Sequence, residues 1–281
     1  MHICCTPPFL LEIRTPPTPK RNLNMPNLAL ITGASAGIGR EFARYHASLG
    51  GDLIITARRA EALDALKAEL EAAHGITVTT FPQDLSSADH AKALYAATNG
   101  TQIDVLINNA GFGGHGKFID RDLDADLDMI DLNVNTLITL CHLISNDMVA
   151  RSGGKILNVS STANYMPGPL QATYFATKAY VSSFSQALAE ELRGTGVTVT
   201  ALEPGGVATE FFDKADLTGT KLGGTKAKAA DFAKIGYNAM LDGKLNVINE
   251  RGLSFMINWI IPFMSRARKL KMVRAMPEKQ A

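Results

Sequence analysis

From about residue 27 onwards, short apolar runs alternate with stretches in which apolar and polar residues recur every three or four positions. Six of the runs predict buried strands: "NLALITG", "DLIITAR", "ITVTTFPQDL", "IDVLINNAG", "GKILNVSS" and "VTVTALEPG". The stretches between them predict helices, and "AEALDALKAELEAAHG" even ends at the expected glycine. Continuous apolar strands that alternate with helices are typical of a parallel sheet covered on both faces. We therefore predict an α/β fold with a doubly wound parallel sheet.

The pattern divides the chain into three segments. Residues 1–24 are rich in proline and have no amphipathic period, so they predict a disordered tail, and Met25 directly precedes the first strand. Met25 is therefore a candidate for the biological start, with a dispensable tail before it. Residues 25–245 show no linker and predict one cofactor-binding catalytic domain, in which 206–230 form a mobile excursion. Residues 246–281 predict a helical C-terminal extension.

Composition narrows the class of protein. A chain of 281 residues with 46% hydrophobic residues can bury a sizeable core, and its net charge of +1 predicts no nucleic-acid partner. Three cysteines form neither a disulfide framework nor a zinc spacing, which favours a reducing, cytoplasmic compartment. The six histidines are scattered, so no metal site is predicted. No uninterrupted apolar run has the length of a membrane span.

A glycine-rich turn between the first strand and its helix is a candidate phosphate site. Gly33, Gly37 and Gly39 lie in "TGASAGIG", with the spacing G-x-x-x-G-x-G. Glycines let a backbone approach a pyrophosphate closely, and a helix N-terminus offers unpaired N–H groups. Glycines also make ordinary turns and end helices, so the position between strand and helix is what favours a dinucleotide site.

The end of the second strand indicates which dinucleotide binds. An acidic residue at this position binds the ribose hydroxyls of NAD, whereas an arginine accommodates the phosphate of NADP. Here the sequence reads "TARRA", with Arg58 at the right distance and no acid before Glu61. A solvated basic pair at a helix start is the alternative. The sequence favours NADP(H) over NAD(H).

A tyrosine and a lysine stand four positions apart at the head of a predicted helix. Tyr174 and Lys178 in "YFATK" would share one helical face. A phenol with a pKa near ~10 is a poor acid–base group at neutral pH, and a neighbouring positive charge favours its phenolate. Such a pair also occurs by chance between two ordinary helix residues.

Five motifs in order resolve this choice. They are "TGASAGIG" at 32–39, "NNAG" at 108–111, "NVSS" at 158–161, "YFATK" at 174–178 and "PGGVAT" at 204–209. With them, the chain from about 27 to about 210 resembles the short-chain dehydrogenase/reductase family. The resemblance implies a single-domain Rossmann-like sheet of about seven strands flanked by helices. It also implies an enzyme that transfers hydride between a nicotinamide cofactor and a carbonyl or alcohol.

The resemblance assigns four catalytic residues. Tyr174 is the general acid–base, and Lys178 hydrogen-bonds the nicotinamide ribose and lowers the pKa of the tyrosine. Ser161, thirteen residues before Tyr174, binds the substrate carbonyl oxygen, while Ser160 is structural. In "DLNVNT" the family pattern selects Asn133, which holds a water of the proton relay, and Asn135 is structural or exposed.

The resemblance also assigns cofactor contacts. Ser35 and Ile38 line the pyrophosphate turn, Asp84 and Leu85 flank the adenine, and Asn109 lies near the adenosine ribose. Val207 and Thr209 meet the nicotinamide carboxamide, whereas Asn108 and Gly111 stabilise the end of the sheet. These positions follow predicted strands, in agreement with ligand binding at the carboxyl ends of parallel strands.

The expected substrate is an apolar ketone or aldehyde. Five residues suggest an apolar pocket, although a helix packed on the domain would give the same stripe: Phe211, Phe212, Phe255, Met256 and Trp259. One alternative is a non-catalytic NADP-binding sensor or partner-binding module, but such proteins usually lose a catalytic residue. A second alternative is a nucleotide-sugar epimerase or dehydratase, which the glycine spacing and "NNAG" disfavour.

Two kinds of larger partner are considered. Helices at about 124–149 and 174–193 predict a homo-oligomer, a dimer or a tetramer. The C-terminal segment places basic residues beside apolar ones: Arg266, Arg268, Lys269, Lys271 and Arg274. This pattern fits a basic amphipathic helix for a membrane surface or an anionic acyl substrate. A solvated terminal helix or a subunit contact is the favoured interpretation from sequence alone.

Overall fold

The computed structural model of the chain describes residues 27–98, 100–207, 209–211, 215–217, 220 and 227–276. The predicted tail at 1–24 and Met25 lie outside these residues, and the predicted excursion at 206–230 is described only in part.

In the part of the chain that the structure describes, seven parallel strands form one sheet. They are β1 (Leu28–Thr32), β2 (Asp52–Ala57), β3 (Val78–Pro82), β4 (Val105–Asn108), β5 (Gly154–Val159), β6 (Val197–Leu202) and β7 (Asn246–Val247). Their order across the sheet is β3-β2-β1-β4-β5-β6-β7. The predicted doubly wound parallel sheet is confirmed. Because β7 pairs with β6, the sheet continues just past residue 245, where the sequence placed the end of the domain.

Helices follow the strands as the alternating pattern predicts. They are α1 (Gly37–Ser48), α2 (Ala60–His74), α3 (Ala88–Ala97), α4 (Leu123–Ile130), α5 (Thr136–Ala150), α6 (Ala172–Glu191), α7 (Ala229–Leu241), α8 (Arg251–Phe255) and α9 (Arg266–Arg274). Local sequence sets their ends. Gly75 ends α2 with a left-handed φ of 66°, and the Ser87 hydroxyl accepts the His90 N–H at the start of α3.

The core has two layers because side chains alternate along each strand. On β1, Ala29 and Ile31 pack with α1, α2 and α7, whereas Leu30 packs on the opposite face with α3, α5 and α6. Burial of each large aliphatic side chain stabilises the fold by ~1.5–3 kcal/mol. Both faces of the sheet are therefore covered, which explains why the strands are apolar throughout.

A long helix, Leu123–Ala150, joins α4 to α5 through a π-helical turn at Asp131–Asn135. Among the described helices it alone is long and apolar enough to cross a membrane, with a mean hydropathy of 1.2 in its best window. The sequence predicted this helix at about 124–149 but no apolar run of membrane-spanning length, because aspartates and asparagines interrupt it. Leu140, Ile144 and Met148 are fully covered against the sheet, so it packs as a core helix.

The strand order determines where a ligand can bind. The strands β1 and β4 are neighbours, and the order of the strands across the sheet reverses between them. From β1 to β3 the chain proceeds towards one edge of the sheet, and from β4 to β7 it proceeds towards the other. Loops that leave their carboxyl ends go to opposite faces, and a crevice opens between them. The glycine turn, "NNAG" and the loops after β5 and β6 all lie at this edge.

Candidate active site

A cavity of about 530 Å³ opens at the carboxyl ends of the strands. Its walls come from the turn after β1, the end of β2 and the loops after β3, β4, β5 and β6. The start of α6 and the C-terminal segment complete it. Six of the seven strands of the described sheet thus contribute to one site.

The glycine turn has the form that a pyrophosphate needs. Gly33 and Gly37 have φ values of 69° and 54°, which side chains rarely adopt. A Cβ on Gly33 would lie 2.9 Å from the Cα of Ala110, and one on Gly37 would lie 3.3 Å from Cγ2 of Thr209. The bare backbone and the N-terminus of α1 therefore face the cavity together. These residues fit a dinucleotide.

Gly39 does not line the cavity and has a packing role. A Cβ there would lie 2.4 Å from both the Gly33 carbonyl oxygen and Asn109 Nδ2. The Asn109 amide in turn donates to the carbonyl oxygens of Thr32 at 3.0 Å and Gly33 at 3.3 Å. Gly39 thus lets α1 approach the end of β1, while Asn109 holds the turn and also lines the cavity.

Two arginines contact Ser35 in the turn. Arg59 donates to the Ser35 carbonyl oxygen at 3.3 Å and pairs with Glu210 at 3.3 Å, and Arg40 donates to the same oxygen at 2.5 Å. Arg58 is exposed at the cavity rim and makes no hydrogen bond or ion pair with other described residues. Neither Arg40 nor Arg59 was predicted from the sequence as a site residue. The position of Arg59 next to Arg58 was the one indication in the sequence. No local pattern shows that the Arg40 side chain folds back onto Ser35.

The remaining predicted cofactor residues lie together. Ser35, Ile38, Asp84, Leu85, Val207 and Thr209 all line the cavity. The Leu85 carbonyl oxygen accepts the Thr136 hydroxyl, which fixes the loop after β3 against α5. Gly39 is the only predicted cofactor residue that the structure places away from the cavity wall.

Tyr174 and Lys178 lie on one face of α6, one turn apart, and both are buried at the cavity. Ser161 lines the same cavity and acts on the Tyr174 phenol as a nearby hydrogen-bonding group that lowers its pKa. The Lys178 ammonium donates to the Val159 carbonyl oxygen at 2.9 Å and lies 5.8 Å from the centroid of the Tyr174 ring. The predicted serine, tyrosine and lysine therefore meet in one place.

Burial dominates the electrostatics of this pair. It raises the pKa of the Tyr174 phenol to about 12, although the hydrogen bond with Ser161 lowers it in part. Burial also lowers the pKa of the Lys178 ammonium to about 8. Burial thus outweighs the lowering of the tyrosine pKa that was expected from Lys178, because low polarity disfavours both charged forms.

Asn133 lies in the π-helical turn rather than on the cavity wall. Its Nδ2 donates to the Phe112 carbonyl oxygen at 3.0 Å and to Thr177 Oγ1 at 3.1 Å, and its Oδ1 accepts the Phe112 N–H at 3.1 Å. A Cβ on Gly111 would lie 2.8 Å from Asn133 Oδ1 and 3.6 Å from Lys178 Nζ. Gly111 thus keeps side-chain atoms out of the space between Asn133 and Lys178.

The neighbours of the catalytic candidates have structural contacts. The Ser160 hydroxyl is buried and donates to the Lys178 carbonyl oxygen at 2.8 Å, so β5 is tied to α6. Asn135 is exposed and donates to Asp131 at 2.6 Å. Both agree with the structural roles that the sequence analysis gave them.

A buried glutamate beside the site was missed. Glu203 is fully buried and accepts hydrogen bonds from Asn164 and Tyr165 at 2.6 Å, from Ser182, and from Asn246 at 3.3 Å. It therefore ties the turn after Ser161 to α6 and β7. No sequence signal indicated this, since a glutamate between a strand and a proline is usually exposed.

The comparison with protein families is decisive once this geometry is known. The profile described as short chain dehydrogenase matches residues 27–218, more than half of the chain. The chain belongs to the short-chain dehydrogenase family. The predicted family, fold class and oxidoreductase class are thereby confirmed.

Relatives of this short-chain dehydrogenase include reductases. It is 36% identical over 179 residues to a very-long-chain 3-oxoacyl-CoA reductase from Laccaria bicolor, covering 62% of the chain and 53% of the relative. It is also 36% identical over 187 residues to a 3-oxoacyl-[acyl-carrier-protein] reductase from Synechocystis, covering 66% and 75%. The chain spans about half the length of the first of these curated relatives.

A solved structure shares both fold and sequence with this dehydrogenase. A short-chain dehydrogenase from Sphingobium yanoikuyae, in complex with NADPH, superposes with a TM-score of 0.75 and is 27% identical. The match covers 86% of this chain and 97% of that one. A nicotinamide cofactor is therefore supported for the family site.

The outer part of the cavity is apolar. Phe112, Phe175 and Phe211 pack around the Tyr174 ring, with the Phe211 and Tyr174 ring centroids 5.4 Å apart. Of the five residues that suggested an apolar pocket, Phe211 and Met256 line the cavity. Phe255 and Trp259 do not line it and are exposed, which corrects their assignment, and Phe212 lies outside the described residues.

Proposed function

We propose that this short-chain dehydrogenase transfers hydride between NADP(H) and the carbonyl carbon of an apolar ketone or aldehyde. The observation that carries the proposal is that Ser161 and Tyr174 line the same cavity as the glycine turn. Lys178 lies beside this pair. Acid–base, oxyanion-binding and phosphate-binding groups are thus within reach of one ligand.

The residues of the inner cavity suit the cofactor. A bound nicotinamide supplies or accepts the hydride. Gly33 and Gly37 would hold its pyrophosphate, and Val207 and Thr209 would contact the nicotinamide end. Preference for NADP rests on Arg58, whose guanidinium is exposed at the rim without an ion-pair partner among the described residues. Such a group can bind a phosphate bidentately.

The chain's own groups can move the proton. With its pKa near 12, the Tyr174 phenol is protonated at neutral pH and can donate to a carbonyl oxygen during reduction. The Ser161 hydroxyl can hydrogen-bond the same oxygen as negative charge develops on it. Lys178, with a pKa of about 8, is still cationic at neutral pH and favours the phenolate that remains. Asn133 would hold a water molecule of the proton relay to Lys178.

The residues that line the outer part of the cavity indicate the class of substrate. Aromatic and sulfur-containing side chains face the part of the cavity beyond Tyr174: Phe112, Met166, Phe175, Phe211, Met256 and Met272. Such a surface gains free energy by covering apolar groups and offers few partners to a polar substrate. An apolar carbonyl compound is therefore the proposed substrate.

Assembly and location belong to the same proposal. Four partly exposed apolar residues lie along α4 and α6, the helices predicted to form subunit contacts: Leu123, Leu127, Ile130 and Tyr180. They support a homo-oligomer. The proposed compartment is the cytoplasm, on the basis of cysteine use.

The test measures oxidation of NADPH and NADH by purified protein with a panel of ketones, aldehydes and diketones. Tyr174→Phe removes the proton donor and is expected to lower the rate at least ~100-fold. Tyr180→Phe is the control, because this exposed tyrosine lies on the same helix away from the cavity. Equal activity of Tyr174→Phe and wild type would contradict the mechanism. Tight NADPH binding without turnover of any carbonyl or alcohol would favour the sensor alternative.

A further inference from the structure

The segment at 251–276 has an inner face that closes the cavity. It contains α8, a π-helical turn at Met256–Ile260, a short 3-10 turn at Ile261–Phe263 and α9. Leu253, Met256, Ile257, Met272 and Val273 line the cavity. Ile257 and Val273 are almost completely buried there. The segment is therefore a wall of the site and not a loose tail.

The outer face of the same segment exposes large apolar side chains. Phe255, Trp259 and Phe263 are 60%, 67% and 83% exposed. Ile260 and Leu270 are 48% and 41% exposed beside them. A solvated terminal helix, which together with a subunit contact was the favoured interpretation from sequence alone, would carry polar residues at these positions. Five exposed large apolar residues within sixteen positions instead indicate a surface that is covered in use.

The charge of the segment indicates what covers it. Positions 251–276 contain six lysines and arginines and no acidic residue, so the segment carries +6. Because the whole chain carries +1, the rest carries −5. Arg266, Arg268 and Lys271 are exposed next to the aromatic residues. Basic and aromatic side chains side by side on an otherwise acidic protein match the surface of an anionic bilayer.

We infer that residues 251–276 dock this protein on an anionic membrane surface. Phe255, Trp259 and Phe263 insert at the level of the lipid headgroups, where aromatic rings are favoured. Arg266, Arg268 and Lys271 contact the lipid phosphates. A second copy of the chain is a poorer occupant of this face. Two such faces in contact would bring together two segments that each carry a charge of +6 and repel each other.

Docking places the wall of the cavity between the bilayer and the catalytic residues. Its inner side chains reach the same space as Tyr174, whereas its outer side chains reach the lipid. An apolar substrate dissolved in the bilayer then has a short path to the cavity. This consequence rests on the proposed function, whereas docking itself does not, so the two are tested separately.

The chain contains its own probe for this inference, since Trp259 is its only tryptophan. Full-length protein is mixed with vesicles of phosphatidylcholine, or of phosphatidylcholine containing one-third phosphatidylserine. We expect a blue shift of tryptophan emission and co-sedimentation with the anionic vesicles only. Both are expected to decrease at high salt, which screens the charges. No catalytic turnover is required, so failure of the proposed function leaves this result unaffected.

Two double variants separate the contributions of aromatic and of basic side chains to vesicle binding. Phe255→Ala/Phe263→Ala and Arg268→Glu/Lys271→Glu are each expected to weaken vesicle binding at least ~10-fold. Phe118→Ala/Ile119→Ala removes equally exposed apolar residues elsewhere, and Lys117→Glu/Lys234→Glu makes the same charge change elsewhere. Neither control is expected to change vesicle binding. An unchanged midpoint of urea denaturation checks that each variant is folded.

Three results would overturn the inference. The first is the absence of both the blue shift and co-sedimentation with anionic vesicles. The second is equal binding to both kinds of vesicle, because the basic residues would then have no role. The third is a blue shift that grows with protein concentration in the absence of vesicles, because a second copy would then cover the face.

Discussion

At the scale of single residues, Lys178 is a cation that the fold holds at a cost. Its ammonium donates to the Val159 carbonyl oxygen, and no acidic side chain among the described residues pairs with it. Burial lowers its pKa to about 8 from an ordinary value near 10.5. In the folded protein at neutral pH, its charge therefore costs about 3 kcal/mol relative to an exposed lysine.

Lys178→Met is expected to stabilise the protein while abolishing its activity. Removal of the buried charge regains ~3 kcal/mol. Loss of the hydrogen bond to Val159 costs ~1 kcal/mol, so a net gain of ~1–2 kcal/mol is expected at pH 7. Urea denaturation measures it, with the exposed Lys234→Met as the control.

The pH dependence of this effect has a definite sign. Above about pH 8 the folded lysine releases its proton, whereas the unfolded lysine keeps it until about ~10.4. The unfolded state then binds more protons, so wild-type stability rises with pH across this window. The advantage of Lys178→Met is expected to shrink between pH 8 and 10. A constant difference, or a variant less stable than wild type at pH 7, would contradict the assigned cost.

At the scale of elements, the junction of β1 and α1 depends on a residue outside the cavity. Gly39→Ala would place a methyl group 2.4 Å from the Gly33 carbonyl oxygen, where only backbone movement can make room. The expected cost is about 2 kcal/mol in the free energy of unfolding. NADPH affinity is expected to fall ~10-fold, because the displaced turn carries the phosphate site.

A matched control lies at Gly153, where an added Cβ meets nothing within 4 Å and φ is not positive. Gly153→Ala is expected to leave both the free energy of unfolding and the NADPH affinity unchanged. NADPH fluorescence titration and urea denaturation measure the two effects. Wild-type affinity in Gly39→Ala would show that α1 can move without disturbing the turn.

Strands and helices are the elements that the sequence predicts best. Buried parallel strands are apolar on both faces, and Gly75 and Ser87 mark helix ends through local chemistry. The two-residue strand β7 had no pattern to detect. The π-helical turn around Asn133 was not predicted either, since no local pattern marks it and the hydrogen-bond partners of Asn133, Phe112 and Thr177, lie elsewhere in the chain.

The candidate site shows the same limit. Tyr174, Ser161 and the glycine turn were predictable because their spacing along the chain is fixed by the elements that carry them. Glu203 was not, since its four donors come from three distant elements. The exposure of Trp259 was not predictable either, because an apolar stripe does not tell which side faces the protein.

At the scale of the whole molecule, the cavity spans the reversal of strand order between β1 and β4. Its lining residues come from both halves of the sheet, so a ligand bound there would connect the halves. Binding to the folded state alone stabilises a protein by ~2.7 kcal/mol when the ligand is at 100 times its Kd. Cofactor affinity can therefore be measured as resistance of the entire domain to unfolding.

This linkage gives a test of cofactor preference that needs no substrate. At equal concentrations NADPH is expected to raise the melting temperature more than NADH, because Arg58 gains a phosphate partner. Arg58→Ala is expected to remove the difference between the two cofactors while leaving the rise in melting temperature with NADH unchanged. Arg59→Ala is the informative comparison, since Arg59 contacts Ser35 and Glu210. Its loss is expected to weaken the binding of both cofactors alike. Equal stabilisation of the wild-type protein by NADH and NADPH would contradict the preference, and the guanidinium at residue 58 would then be a solvated surface group.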